Sequence, residues 1–108
     1  MKGGIMKKII LDFNTTRTKE DIHKYLAMKF DFPDYYGANL DALYDCLTDI
    51  GEPTCAGFFM PDEDREITSY LQRIGHVMRD AEDENQNFAV IFGDMEANFS
   101  DEMEFMDF

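Results

Sequence analysis

Apolar residues crowd the start of the chain, where Ile5, Ile9, Ile10, Leu11 and Phe13 make a near-continuous run. Such a run predicts a β-strand over 5–13, of the kind covered on both faces. Asn14 to Arg17 is a polar turn, and the period then changes. Ile22, Tyr25, Leu26 and Phe30 recur on one face at helical spacing. Thr18, with Asp21 three residues on, has the form of a capping box and starts that helix. Pro33 forbids its continuation. A second helix opens at Gly37 or Asn39 and closes at Gly51, with Pro53 just beyond. Its apolar stripe is Leu40, Leu43, Leu47 and Ile50. Thr54 to Met60 reads as a second strand, weakened by Gly57, and Pro61 to Asp64 as a turn. The longest helix runs from Glu66 to about Asn85, with Ile67, Leu71, Ile74 and Met78 on one side. Gly75 in its middle is a mild cost. Phe88 to Phe92 is the third strand, and Asp94 to Phe108 is acidic and aromatic with no clear period.

Strands alternating with helices predict βαβ units. The expected fold is α/β: a three-stranded parallel sheet packed with helices, in a single domain. A length of 108 residues fits one modest core, and 44% hydrophobic content argues for a globular chain rather than a disordered one. No apolar run approaches the roughly 20 residues that span a bilayer. The N-terminus lacks the long apolar stretch and cleavage site of a signal peptide, so a cytoplasmic location is expected. Residues 1–6 read as an extension, with Met6 an alternative start. Cys46 and Cys55 are not spaced as CxxC and sit in apolar contexts, which predicts buried free thiols in a reducing compartment.

Charge sharpens the picture. Acids number 23 against 10 Lys and Arg, for a formal net charge of −13. That excess disfavours nucleic acid and anionic membranes as partners and draws in a basic protein. The distribution is regional. Residues 30–64 hold nine acids and no base, and ten more acids follow Arg79 without a base. On the second helix Asp41, Asp45 and Asp49 stand at i, i+4 and i+8. A solvated face is the ordinary reading of surface acids. Here, however, each like-charge pair costs the helix roughly 0.2–0.5 kcal/mol, and Asp is a poor interior helix former. A cationic binding partner is a reason to keep such a face.

Catalytic motifs are missing: there is no P-loop, GxGxxG, HExxH or G-x-S-x-G. Asp12, Asn14 and Thr16 lack the Gly and terminal Glu of an EF-hand loop. Asp41 and Asp45 are expected to be too solvated for acid–base work, and His23 and His76 to be ordinary helix residues. The expectation is a non-enzyme with no cofactor and no metal.

The segment Pro33 to Asp49, PDYYGANLDALYDCLTD, resembles the signature of the barstar family of bacterial ribonuclease inhibitors. A looser resemblance runs from Lys7 to Phe92 and takes in Ile22-His23 and Arg79-Asp80-Ala81. It implies a barstar-like domain over 7–93, with about four helices on the parallel sheet, and leaves 94–108 as an acidic tail. It also implies inhibition of a basic, extracellular-type, barnase-like ribonuclease by a chain that is monomeric when free. Asp45 matches the carboxylate that replaces the substrate phosphate, and Asp41 a second contacting carboxylate. Tyr35, Gly37, Asn39 and Thr48 match further contacts, and Asp80 stands where the family has a contacting Glu. Tyr44 replaces a Trp of the best-known member, and Asp49 replaces a Gly; both join the expected partner-binding set. The alternative is a module of this fold that binds a different basic protein or toxin nuclease.

Several of these residues also have plain structural roles. Tyr36 is assigned to the core and Tyr35 to the interface. Asn39 suits a helix cap, and Thr48 a bond back into its own helix. Cys46 suits packing, and Met103 and Met106 in the tail suit either core or a partner.

Overall fold

The computed structural model describes residues 6–61 and 66–93. Strands β1 (Lys7–Asp12), β2 (Thr54–Phe59) and β3 (Phe88–Phe92) form one parallel sheet with β2 in the centre. Between β1 and β2 lie α1 (Lys19–Phe30) and α2 (Leu40–Thr48); α3 (Thr68–Glu84) joins β2 to β3. A 3-10 turn over Phe13–Thr15 follows β1. Three α-helices and this turn among the described residues stand close to the four helices that the resemblance implied. The sheet is parallel because each crossover carries a helix, as the alternating pattern predicted.

Register decides what the helices cover. Ile9 pairs with Ala56 and that with Val90; Leu11 pairs with Phe58 and that with Phe92. Period 2 puts these side chains on one face. They join Ile22 and Leu26 of α1, Leu43 and Leu47 of α2, and Leu71, Ile74 and Met78 of α3 in a single core. Each such aliphatic side chain contributes on the order of 1.5–3 kcal/mol on burial.

Several expectations change. The opening run is not covered on both faces, since Ile10 is 38% exposed on edge strand β1. It also stops one residue early. The Asp12 carboxylate accepts from the Asn14 backbone N–H at 3.0 Å and turns the chain. Phe13 thereby swings into the core, its ring 4.9 Å from Phe58 and 5.5 Å from Tyr25. The third helix begins at Thr68 rather than Glu66, because buried Ile67 anchors its start without any side-chain cap. Gly75 has a reason within α3: a Cβ there would meet Phe92 at 3.1 Å, so its absence lets the helix lie close to the sheet. Both cysteines are free, but Cys46 is only half-buried. Residues 1–5, most of the turn at 61–64, and the tail 94–108 lie outside the described residues.

Candidate functional site

The loop before α2 is built outward from α1. Asp31 ends α1 in the left-handed conformation, φ 60°. Phe32 stacks on Phe30 at 5.3 Å and meets Tyr36 at 4.8 Å. The Tyr36 N–H donates to the Pro33 carbonyl at 2.9 Å, closing a turn that leaves Tyr35 86% exposed. Tyr36 goes inward, and its hydroxyl lies 2.6 Å from His23 Nδ1; the other ring nitrogen, Nε2, lies 2.7 Å from the Tyr70 hydroxyl. Burial lowers the pKa of His23, which favours the neutral ring, with one nitrogen donating and one accepting. Burial is also the main reason the Tyr36 hydroxyl holds its proton well above the ordinary phenol range. The triad Tyr36–His23–Tyr70 thus ties the loop to α1 and α3. His23 is a structural residue, as expected, though its two partners lie too far off in sequence to be read.

Asn39 caps α2. Its side-chain oxygen accepts from the Ala42 N–H at 2.8 Å, and its amide points to the Gly37 carbonyl at 3.4 Å. Between them Ala38 sits at φ 55°, a costly conformation for a residue with a Cβ. Leu43 and Leu47 are fully buried, and the 3.6-residue period then turns Asp41, Asp45 and Asp49 to solvent. Adjacent Asp on this stripe have Cβ atoms roughly 5–6 Å apart. Thr48 donates its hydroxyl back to the Tyr44 and Asp45 carbonyls at 3.0 and 3.1 Å. At the far end the Asn85 amide donates to the Leu47 and Ile50 carbonyls, each at 3.0 Å, so a buried side chain beyond α3 holds the last turn of α2.

Among the described residues no ion pair engages Asp41, Asp45, Asp49 or Asp80; the pair present is Glu20–Lys24 on α1, at 3.7 Å. The row flanks a groove of about 300 Å³. Phe30, Phe32, Cys46 and Ile50 line its apolar part, and Asp31, Tyr35, Asp45 and Asp49 its polar part. Tyr44 faces the other way, towards α3. Partial burial raises its pKa, and the carboxylates of Glu84, Asp80 and Asp45 push the same way. The structure therefore brings Tyr35, Asp45 and Asp49 together on the groove, and Tyr44, Asp45 and Asp80 together at the α2–α3 seam. Gly37 and Asn39 sit at the exposed helix start, with Asp41 in its first turn.

A rigid, exposed row of carboxylates can accept charge-assisted hydrogen bonds, bidentate ones from Arg. No group of three metal-ligating side chains occurs among the described residues. No helix among them is long and apolar enough to cross a membrane.

The family model described as Barstar (barnase inhibitor) matches residues 6–106. The chain belongs to the barstar family. Over 43 residues it is 58% identical to the protein named Putative ribonuclease inhibitor YrdF of Bacillus subtilis (strain 168). That match spans 40% of this chain and 47% of the Bacillus protein, about half its length.

Four residues around this candidate site had no role assigned from the sequence alone. Asp31 joins the groove only because the left-handed cap folds the loop back. Glu84 joins Asp80 at the seam, and the i, i+4 spacing of two acids was a usable signal. Ala38 and Asn85 left no signal, since one is a backbone conformation and the other a contact across 35 residues.

Proposed function

We propose that this barstar-family protein inhibits a basic, barnase-like ribonuclease by seating the α2 carboxylates in the enzyme's cationic cleft. The observation that carries the reading is the exposed row Asp41, Asp45 and Asp49, which no Lys or Arg neutralises among the described residues. A ribonuclease cleft binds a polyanion and is therefore lined with cations. Asp45, at the middle of the row and shared by groove and seam, takes the place of the substrate phosphate. Asp41 and Asp49 extend the contact along the helix. Tyr35 closes one side of the interface, while Tyr44 and Asp80 close the other. Gly37 and Asn39 present the loop edge, and Thr48 adds a hydroxyl oxygen at the other end of the helix.

The design is preorganised. A short side chain on a capped helix has little rotamer freedom to lose on binding. The net charge of −13 speeds encounter with a basic enzyme and makes it sensitive to salt. The role that follows is cytoplasmic protection against a nuclease toxin. Titrating a barnase-like ribonuclease with the purified protein tests this. Residual activity should fall to zero at one equivalent, and the association rate should drop as salt rises. Full activity at excess protein and low salt would refute it. Inhibition of some other basic nuclease alone would leave the site standing and change the partner.

A further inference from the structure

Acids dominate the chain, yet three of its 10 Lys and Arg meet in one place. A groove of about 520 Å³ lies between the entry to α1 and the first two turns of α3. Arg17 and Lys19 line it from one side, and Arg73 and Ser69 from the other. These cations stand more than 50 residues apart in sequence, and only the fold brings them together. Glu66 is the one acid in the lining. No ion pair engages any of the three cations among the described residues. The Asp21 carboxylate nearby is committed to the Arg17 and Thr18 N–H groups, at 3.0 and 3.2 Å.

Tyr70 fixes this geometry. Its hydroxyl lies 2.7 Å from His23 Nε2, and Lys19 Nζ sits 4.9 Å from its ring centroid. Burial raises the pKa of that hydroxyl, and the charge of Arg73 pulls the other way. One anchored ring therefore has Lys19 over it and Arg73 within electrostatic reach. With Lys19 in place, Tyr70 holds a cation rather than a ligand's ring. Like charges gathered in this way repel unless a counter-charge sits among them.

We propose that this groove binds a phosphate group, as the free anion or as a monoester. Arg17 and Arg73 each offer a fork of donors that matches phosphate oxygens, and Lys19 adds a point charge. The charge count favours phosphate over a carboxylate. Three cations offset by Glu66 leave two positive charges, and a phosphate monoester carries about −1.5 to −2 at pH 7. Acids beyond the Debye length, roughly 8 Å at physiological salt, are largely screened, so the near charges decide. The lining shares no residue with the α2 row, the Tyr35 loop or the Tyr44–Asp80 seam. This site therefore stands or falls apart from ribonuclease inhibition.

Titrating the full chain with inorganic phosphate at constant ionic strength, followed by amide signals, tests the proposal. The amides of Lys19, Ser69, Tyr70 and Arg73 should shift and saturate, while those of Asp41 and Asp45 stay put. Arg17, Lys19 and Arg73 are exposed, so an R17Q/R73Q chain keeps its fold. Its affinity should fall at least about tenfold with both guanidinium forks gone. A K24Q/K29Q chain loses the same charge outside the groove and should bind as the natural chain does. A parallel titration with a nucleoside 3′-phosphate separates the two sources. Equal affinity assigns the groove to the phosphate group alone, and tighter binding assigns it to the ester. Equal weakening in the two double variants overturns the proposal, because the attraction is then general. So do matching shifts with acetate, or no saturable shift with either phosphate ligand.

Discussion

α1 and α2 are both amphipathic and both stand on the same core, yet they use charge in opposite ways. α1 is arranged for its own stability. Thr18 and Asp21 form a reciprocal capping box, Glu20 pairs with Lys24, and Lys29 occupies the last turn, where the dipole favours a cation. α2 has a good cap in Asn39 and a well-placed Asp41, but the rest works against it. Its stripe is purely anionic, no base lies in its last turn, and Asp49 sits at the end where a negative charge is disfavoured. What holds α2 is tertiary: buried Leu43 and Leu47, and the Asn85 amide. A helix stabilised from outside can carry a row of like charges that its own ends do not offset.

The contrast breaks most sharply at Asp45. Asp45→Ala should weaken binding to the nuclease by about 3 kcal/mol or more, roughly a hundredfold, by leaving a buried cation of the enzyme unpaired. Thermal stability should hold or rise. Glu20→Ala on α1 should leave binding unchanged; equal losses in the two titrations would remove the special status of α2. Next in size is Asn85→Ala. It strands the Leu47 and Ile50 carbonyls and should cost about 1–3 kcal/mol in urea unfolding, with α2 the first region to exchange its amides.

The acid side of the stability profile sharpens the role of the loop tie. Burial lowers the pKa of His23, so the unfolded chain holds the extra proton more tightly than the folded one. Stability from this group is therefore complete above the ordinary imidazole value of 6.5 and is lost as pH falls below it. Denaturation series at stepped pH should show that decline in the natural chain and a flatter profile in His23→Phe. The capping carboxylate Asp21 behaves likewise at lower pH. Backbone N–H bonds, Arg17 first, lower its pKa, so its share is lost only on acidification below the usual carboxylate value of 3.8. The smallest effects lie on the two exposed faces. Asp49→Asn should raise stability by about 0.3–1 kcal/mol while weakening inhibition. Glu20→Gln should lower stability by about 0.2–0.5 kcal/mol, with inhibition untouched. Matching signs for the two changes would erase the difference between the helices.

Much of the molecule was legible along the chain because the signals are local. Periods of 2 and 3.6, the Thr18 box, and Pro33 and Pro53 marked five of the six helices and strands closely, and β1 to within two residues at its start. The run from Pro33 to Asp49 pointed to the family, and with it to α2 as the candidate site. The misreadings are equally instructive. Ile10 looked like core, but an apolar run says nothing about which neighbours exist to cover it. Cys46 looked buried but lines the groove.

What the chain determined by itself, then, is which segments form helices and strands and which helix faces carry charge, since side-chain direction follows from backbone period. Only the tertiary structure decided that Asp31 joins the groove, that Glu84 joins Asp80 beside Tyr44, and that His23 and Asn85 hold the loop and α2 in place. Those outcomes depend on pairs far apart in sequence, brought within reach by the folding of a shared core, and no local pattern encodes such a distance.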